Sequence, residues 1–246
     1  MRLIIKEMIA DLVFPQGLYC NCCGKYIDKN RTYGLCDHCI RHMNFNVTKL
    51  SVSETPQLFD GAIAAMGYGT YERRLIFSLK YDGRTYVAPV IAQILYDALL
   101  KVLKEEGSCQ HLLADVVVPV PVSRKRLRER GFNQTEKIAK HFCKRSGIKM
   151  TPNALLRTKD TVAQRALSAF ERQQNMRGVF SVNPKSRHCI EGKSVLLLDD
   201  IYTTGATAKE CCQALRKGGA SKVYFLSLLA AENRHHEFCA CNMPNK

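Results

Sequence analysis

Two carboxylates and a threonine–glycine loop in the last quarter of the chain have the residue types and spacing of a sugar-phosphate site. Four apolar residues (195–198) precede Asp199 and Asp200, and a loop then leads into a helix; its residues are Thr203, Thr204, Gly205, Ala206 and Thr207. Such a loop offers backbone N–H groups and a positive dipole end to a phosphate. Carboxylates accept hydrogen bonds from sugar hydroxyls or from waters on a divalent cation. The segment predicts a ribose-phosphate site, and the alternative is an ordinary acidic turn between a strand and a helix.

Four cysteines near the start of the chain have the spacing of a metal site. They form two C-x2-C pairs that are twelve residues apart: Cys20, Cys23, Cys36 and Cys39. Each pair directs two thiolates at one ion, and two pairs complete the tetrahedral site of a structural zinc ion. Cys22 and His38 are surplus candidate ligands, but using either one breaks a pair. Because four thiolates leave no open coordination position, we expect the zinc to be structural rather than catalytic.

A basic segment follows the strand that we predict at residues 115–120. Residues 121–134 contain five basic side chains and one acidic side chain. A pyrophosphate is bound by backbone N–H groups, arginine forks and usually Mg²⁺, and we expect Val122, Ser123 and Arg124 to bind it. A short loop must turn its side chains in several directions, so we expect three to face outward toward nucleic acid or a partner: Arg126, Arg128 and Arg130. The alternative for the whole loop is a nucleic-acid patch or a solvated turn.

Alternating strands and helices must position these groups. Strands are predicted at residues 61–68, 115–120, 155–156, 193–198 and 222–228, and helices at 71–80, 87–103, 134–145, 168–177 and 208–217. This order predicts an α/β domain with a largely parallel sheet, whose ligands bind at the carboxyl ends of the strands. An amphipathic helix at 1–14 and the zinc module make up residues 1–50. A polar linker at 44–58 leads into the α/β domain, residues 51–246.

Composition narrows the choice of partner and compartment. The formal net charge of +15 favours an anionic partner: a phosphate-rich small molecule, nucleic acid or a membrane surface. Solvated lysines and arginines are the alternative. Twelve cysteines without an export signal favour a reducing compartment over a disulfide framework. No apolar run reaches the length of a membrane helix, so we expect no transmembrane segment.

The whole pattern resembles a known family. Residues 195–207 resemble the phosphoribosyl pyrophosphate (PRPP) motif of type I phosphoribosyltransferases. Three further blocks resemble signatures of the ComF family: residues 75–83, residues 118–121 leading to 130–134, and residues 164–180. The four-cysteine site is also typical of ComF-like proteins. The resemblance covers nearly the entire chain, and residues 130–134 (Arg-Gly-Phe-Asn-Gln) are its most specific part.

The resemblance implies a type I phosphoribosyltransferase fold that binds PRPP with Mg²⁺. In that family the acidic pair, here Asp199 and Asp200, holds the ribose hydroxyls, and the loop 203–207 holds the 5′-phosphate. A mobile loop covers PRPP, and Gln164 and Arg165 lie in the corresponding segment; their alternative is an exposed loop. Four aromatic residues either line the pocket of an acceptor or belong to the core: Phe59, Tyr68, Phe77 and Tyr81.

The family also implies a role in DNA uptake during natural transformation. We therefore expect a cytoplasmic PRPP-binding protein, or one peripheral to the membrane uptake machinery, that binds single-stranded DNA and contacts a DNA-import helicase. Candidate residues for stacking on bases are Tyr19, Tyr26, Tyr33 and Phe132. The alternative function is an active phosphoribosyltransferase that joins PRPP to an unknown base or amine.

Overall fold

The computed structural model describes residues 17–28, 31–50, 59–107, 114–159 and 176–231. The predicted helix at 1–14 and the candidate lid residues Gln164 and Arg165 lie outside these ranges. The same holds for most of the helix predicted at 168–177 and of the third family block. These expectations stay predictions.

The described strands form two sheets. In chain order they are β1 (Thr48–Lys49), β2 (Gly61–Gly67), β3 (Val116–Pro119), β4 (Lys149–Met150), β5 (Leu155–Arg157), β6 (Phe180–Val182), β7 (Ser194–Tyr202) and β8 (Lys222–Ala230). The main sheet has the order β1-β2-β8-β7-β3-β4. Strand β1 is antiparallel to β2, and the other four pairings are parallel. The predicted α/β fold with a largely parallel sheet is confirmed.

Six α-helices are described. They are α1 (Asp37–His42), α2 (Thr70–Tyr81), α3 (Ala88–Glu105), α4 (Arg124–Arg130), α5 (Gln134–Ser146) and α6 (Ala206–Lys217). Helix α1 belongs to the four-cysteine module. Helices α3 and α5 pack on one face of the main sheet, and α6 packs on the other face together with β5 and β6.

The central strands are buried on both faces, as their apolar runs predict. In β7, Leu196 and Leu198 join the cluster under α3 and α5, whereas Val195 and Leu197 join the cluster under α6. This alternation follows from the two-residue period of a strand. The core therefore holds β7 rigidly from both sides up to the point where its acidic residues begin.

Two local expectations need correction. The linker predicted at 44–58 contains β1, which pairs with β2 at the edge of the main sheet. The short strand predicted at 155–156 is β5, which pairs antiparallel with the unpredicted β6 in a separate two-stranded sheet. Three-residue strands carry too little periodicity to be recognised without their partner.

Residues Thr85–Glu105, which contain α3, form the one described segment long and apolar enough to cross a membrane by length and composition. The expectation that no segment reaches this length does not hold for it. Ile91 and Leu95 are fully buried, and the helix packs against α5, β2 and β8. In this structure it is a core helix of the α/β domain.

Candidate functional site

The acidic pair lies in a notch at the carboxyl edge of the main sheet. The pairing of β3 with β7 ends at Pro119 and Leu198, whereas β8 continues beside Asp199 and beyond. The prediction that the strand ends at Leu198 is wrong, because β7 runs on through Tyr202. The two carboxylates are therefore held within a strand that projects past its neighbour β3. We call this place the acid notch.

The acid notch is also where the connections of the sheet diverge. Helix α5, which follows β3, packs on one face, and α6, which follows β7, packs on the other. Neighbouring parallel strands whose following helices leave to opposite faces open a crevice at their carboxyl ends. The positions of residues 120–124 and 203–207 after these two strands place both predicted phosphate segments at that crevice.

Asp200 is held by two side chains that the sequence analysis did not assign. Lys80 Nζ lies 2.7 Å from Asp200 Oδ2, and the two side chains are only 9% and 8% exposed. Gln134 Nε2 donates to the same oxygen at 2.8 Å. Both contacts engage Oδ2, so a ligand must use Oδ1 or replace one of these donors. The buried lysine offsets the charge of one of two adjacent carboxylates.

The pKa of Asp199 is raised. Its Oδ1 accepts a hydrogen bond from the backbone N–H of Asp200 at 2.8 Å. Burial, followed by the charge of Asp200, raises the pKa of Asp199 to about 8, and the charges of Lys80 and Arg126 act in the opposite direction. A cation or a set of hydroxyl donors that enters the notch would stabilise the ionised form.

The Arg-Gly-Phe-Asn-Gln block builds one wall of the acid notch. Arg130 Nη1 donates to Gln134 Oε1 at 2.9 Å, which orients the Gln134 amide toward Asp200. Gly131 has a φ of +77°, a left-handed conformation that ends α4 and separates it from α5. Asn133 caps α5 through Thr135 N and donates to Val120 O at 3.1 Å. Arg130, Gly131 and Asn133 thus fix the start of α5 and orient the Gln134 side chain at its first residue.

The basic segment is a helix rather than the loop predicted for it. Ser123 caps α4 by accepting a hydrogen bond from Arg126 N at 3.3 Å, so its hydroxyl already has a structural partner. Val122 is half-buried and Arg124 is exposed. The cap explains why the chain turns into a helix directly after the strand.

Helical geometry divides the four arginines differently from the prediction. Residues four apart share a face, whereas residues two apart lie on nearly opposite faces. Arg126 and Arg130 therefore share one face, on which Arg130 contacts Gln134 of the notch, whereas the Arg126 side chain is exposed. The expectation that Arg130 faces outward is wrong, because it is half-buried. Arg124 and Arg128 share the opposite, exposed face.

The predicted 5′-phosphate loop leads from β7 into α6. Gly205 is the N-cap of α6, and no side chain caps the first N–H groups of this helix. Gly205 has a φ of +74°, and a Cβ there would lie 2.6 Å from the Tyr202 hydroxyl. Only glycine fits this turn without displacing Tyr202. Thr203, Thr204 and Thr207 are half-buried around this helix start, whose N–H groups and positive dipole end could receive an anion.

The four predicted metal ligands come together. The Sγ atoms of Cys20, Cys23, Cys36 and Cys39 all lie within 4.8 Å of one another. Cys23 Sγ and Cys36 Sγ are 3.7 Å apart. Tetrahedral zinc with Zn–S bonds of about 2.3 Å would separate its sulfurs by about 3.8 Å. The cluster therefore fits a metal ion that has this geometry.

The two surplus ligand candidates contact Tyr71 of α2 instead. The Cys22 thiol donates to Tyr71 O at 3.6 Å, and His38 Nε2 lies 2.9 Å from the Tyr71 hydroxyl. Further contacts tie the module to the α/β domain: Tyr33 donates to Asp97 Oδ2 at 3.0 Å. The cysteines also share a hydrophobic cluster with α2 and α3. The four-cysteine module therefore packs directly against α2 and α3 of the α/β domain.

The aromatic candidates for base stacking have separate environments. Tyr19 and Tyr26 are 61% and 65% exposed and form an edge-to-face pair with ring centroids 6.1 Å apart. Tyr33 is half-buried and stacks on Phe45. Phe132 is half-buried against the core. Only the first two present open aromatic surface.

Lys80 and Gln134 are the two partners of Asp200 that sequence reasoning missed. Both stood in the quoted family blocks, residues 75–83 and 130–134. Neither block by itself names its partner, since the contact forms only when α2, α5 and β7 are assembled. The only sequence signal for these contacts was that the two family blocks and the acidic pair occur together in one chain.

Comparison with known proteins agrees with this geometry. The family model described as uracil phosphoribosyltransferase matches residues 85–244. Competence protein F of Haemophilus influenzae is 28% identical over 214 residues, which cover 86% of this chain and 90% of that protein. DNA utilization protein YhgH of Escherichia coli is 31% identical over 149 residues, which cover 61% of this chain and 63% of that protein.

Among solved structures, one described as the allosteric regulatory enzyme of purine biosynthesis is 26% identical, with a TM-score of 0.33. The match covers 56% of this chain, and this chain spans about a quarter of that one, 26%. It also spans less than two thirds of the Escherichia coli protein. The chain belongs to the phosphoribosyltransferase family that the uracil phosphoribosyltransferase model describes, and its relatives there include the ComF-type competence proteins.

Proposed function

We propose that this protein binds PRPP in the acid notch and handles single-stranded DNA during natural transformation. The observation that carries the proposal is the notch itself, where β7 carries a buried acidic pair between Lys80 and Gln134 and leads into the uncapped start of α6. The names of the two relatives, a competence protein and a DNA utilization protein, support the role in DNA handling.

PRPP would occupy the notch with its ribose over the acidic pair. Asp199 and Asp200 would accept hydrogen bonds from the ribose hydroxyls, and the N–H groups of residues 203–207 would bind the 5′-phosphate. The pyrophosphate would lie against the backbone N–H groups of residues 122–124, and the exposed Arg126 would supply positive charge from the face of α4 that it shares with Arg130. Mg²⁺ would neutralise pyrophosphate charge while it is held through waters near the carboxylates.

Calorimetry tests the PRPP site. Wild-type protein should bind PRPP only with Mg²⁺, and Asp199→Asn with Asp200→Asn should weaken binding by about 2–4 kcal/mol, the worth of two charge-assisted hydrogen bonds. Asp115→Asn is the matched control, because that carboxylate lies at the opposite edge of the sheet, where it accepts from Ser194 N. Equal affinity in the double variant and the wild type would remove the PRPP assignment.

We further propose that the four-cysteine cluster holds a structural zinc ion. The support is the all-thiolate ligand set, the burial of three of the four cysteines and the sulfur separation of 3.7 Å. Because no ligand position is left open, the zinc would shape the module and its contact with α2 rather than activate a substrate.

Single-stranded DNA would meet the outward face of α4, where Arg124 and Arg128 are exposed. The net charge of +15 supports a polyanionic partner such as single-stranded DNA. We place the protein in the cytoplasm beside the membrane uptake machinery, in contact with an import helicase. Crosslinking in transforming cells checks this location: the helicase should be recovered with the protein, and recovery only of unrelated cytoplasmic proteins contradicts it.

The second candidate function is phosphoribosyl transfer, which the match to the family model over residues 85–244 favours. An acceptor nitrogen would bond to C1 of the ribose as the C1–O bond to pyrophosphate breaks. The Arg126 guanidinium would stabilise the leaving charge. Pyrophosphate release from PRPP with uracil, other bases and amines tests it. If no acceptor gives release above the rate without acceptor, the protein binds PRPP as a ligand only.

A further inference from the structure

An arginine and two aromatic rings lie along one face of α2, with a further ring and a further arginine beside them. Arg73, Phe77 and Tyr81 are spaced four residues apart, so they share a face of the helix. The Arg73 guanidinium lies 5.6 Å from the ring of Tyr68 and 5.7 Å from that of Phe77. The Phe77 and Tyr81 rings are 5.6 Å apart, and the Arg130 guanidinium lies 5.1 Å from Tyr81. We call these five residues the arginine–aromatic row.

The arginine–aromatic row lies at the margin of the core, against which Tyr68 and Phe77 pack with part of their surface. The buried face of α2 consists of other residues: Glu72, Leu75, Ile76, Ser78 and Leu79. In the row, Tyr81 is 58% exposed, and the remaining members are half-buried. Large aromatic rings left at a surface, interleaved with cations, are a common device for binding nucleobases and phosphates.

One atom of the row lacks a partner. Arg73 Nε is buried, and within the described ranges it has no hydrogen-bond partner. A buried N–H donor without an acceptor is costly, and a phosphate oxygen is the acceptor that best matches a guanidinium. Arg130 Nη1 donates to the neutral Gln134 side chain, so this contact does not neutralise the positive charge of Arg130.

The row runs along the carboxyl edge of the sheet to the acid notch. Tyr68 directly follows β2, at the same edge as the ends of β7 and β8. At the other end of the row, Arg130 contacts Gln134, which donates to Asp200 Oδ2. Lys80, the neighbour of Tyr81 in the chain, reaches the same carboxylate. A ligand on the row would therefore end beside bound PRPP.

We infer that the arginine–aromatic row is the binding strip for single-stranded DNA, with bases stacked on Tyr81 and the neighbouring rings and phosphates at Arg73 and Arg130. This inference rests on the proposed function, and it adds the place where the bases of the strand bind. Stacking tolerates any base, so the strip should bind strands of many sequences. The outward arginines of α4 would then contact phosphates farther along the same strand.

Fluorescence anisotropy with the full-length, zinc-loaded chain tests the strip. The probes are a labelled oligothymidylate and an abasic oligomer with the same number of phosphates. Tyr81→Ala should weaken oligothymidylate binding about tenfold, within the range of one lost stacking contact, and should leave abasic binding unchanged. Tyr81→Phe should restore wild-type affinity. Tyr86→Ala is the matched control, since Tyr86 is 48% exposed in the turn after α2 and outside the row.

The outcomes separate the strip from the proposed function. If wild-type protein binds Mg²⁺–PRPP but no strand, the DNA proposal and the strip both fail while the PRPP site stands. If the strand binds and Tyr81→Ala and Tyr86→Ala have equal effects, the strip is wrong and the DNA proposal stands. If Tyr81→Ala spares the strand but abolishes saturable uracil binding in the presence of Mg²⁺–PRPP, the row is an acceptor pocket and the inference is overturned.

Discussion

The four-cysteine module and the acid notch are both recognisable from residue spacing, but they are built in opposite ways. All four thiol ligands come from residues 20–39, where a tight turn carries Cys20 and Cys23 and the start of α1 carries Cys36 and Cys39. The carboxylates of the notch are neighbours in β7, whereas their partners come from α2 and α5. Gln134 is 66 residues from Asp200 in the chain. Spacing along the chain can specify a ligand set that closes locally, but it cannot specify the partners of a site that the topology assembles.

The two sites also balance negative charge differently. Four thiolates need a metal ion, so the module and its ion form together. Two buried carboxylates are partly balanced by Lys80, a cation that the fold itself supplies. The notch is therefore held together by a cation of the chain itself, whereas the cysteine module would need the proposed zinc in order to fold.

The largest expected effect breaks the cysteine module. Cys39 is fully buried, and Cys39→Ser should abolish stoichiometric zinc and unfold the module, at a cost on the order of 10 kcal/mol of metal-linked folding energy. Because the module shares a hydrophobic cluster with α2 and α3, the melting temperature of the α/β domain should fall as well. Metal analysis and thermal denaturation measure the two effects.

Cys22→Ser is the matched control for the module. Cys22 is buried beside the cluster, but its thiol contacts Tyr71 O. One zinc per chain should be retained in this variant. Loss of zinc from Cys22→Ser with retention in Cys39→Ser would reassign the ligands.

The next effect concerns the notch. Lys80→Met would leave Asp200 as a buried carboxylate without its cation, and breaking such a pair costs about 3–5 kcal/mol of the free energy of unfolding. Adding Asp200→Asn should recover most of this loss, because the charge that needed Lys80 is gone. Urea denaturation of the two single variants and the double variant measures it. Additive losses would show that Lys80 acts elsewhere.

The cysteine module and the notch also differ in how much of each could be predicted from the sequence. The parallel α/β sheet, the cysteine cluster and the position of the acidic pair after an apolar strand follow from periodicity and motif spacing. The continuation of β7 to Tyr202 does not, because polar Asp199 and Asp200 look like the end of a strand until β8 is known to extend beside them. Helix α4 is missed because its run of basic residues carries no apolar period, and only the Ser123 cap signals it.

A smaller effect is the pH dependence of stability that Asp199 causes. Its pKa is raised from 3.8 to about 8 by burial and by Asp200, so the folded state keeps a proton that the unfolded state loses. The free energy of unfolding should therefore be highest below the unfolded pKa and should fall as pH rises toward the raised folded pKa. Urea denaturation without Mg²⁺ should give a shallower slope for Asp199→Asn. Identical slopes would contradict the assignment.

The smallest effect distinguishes the two faces of α4. Arg126→Ala should weaken Mg²⁺–PRPP binding by at most about 1 kcal/mol, because an exposed arginine near a carboxylate contributes little. Arg124→Ala with Arg128→Ala should leave PRPP affinity unchanged and flatten the salt dependence of single-stranded DNA binding by about 0.7 per lost phosphate contact. Calorimetry measures the PRPP affinity, and fluorescence anisotropy over a salt series measures DNA binding. If Arg124→Ala alone abolishes PRPP binding while Arg126→Ala is silent, the pyrophosphate lies at the exposed face of α4, as the sequence had predicted, and the helical division of its arginines is wrong.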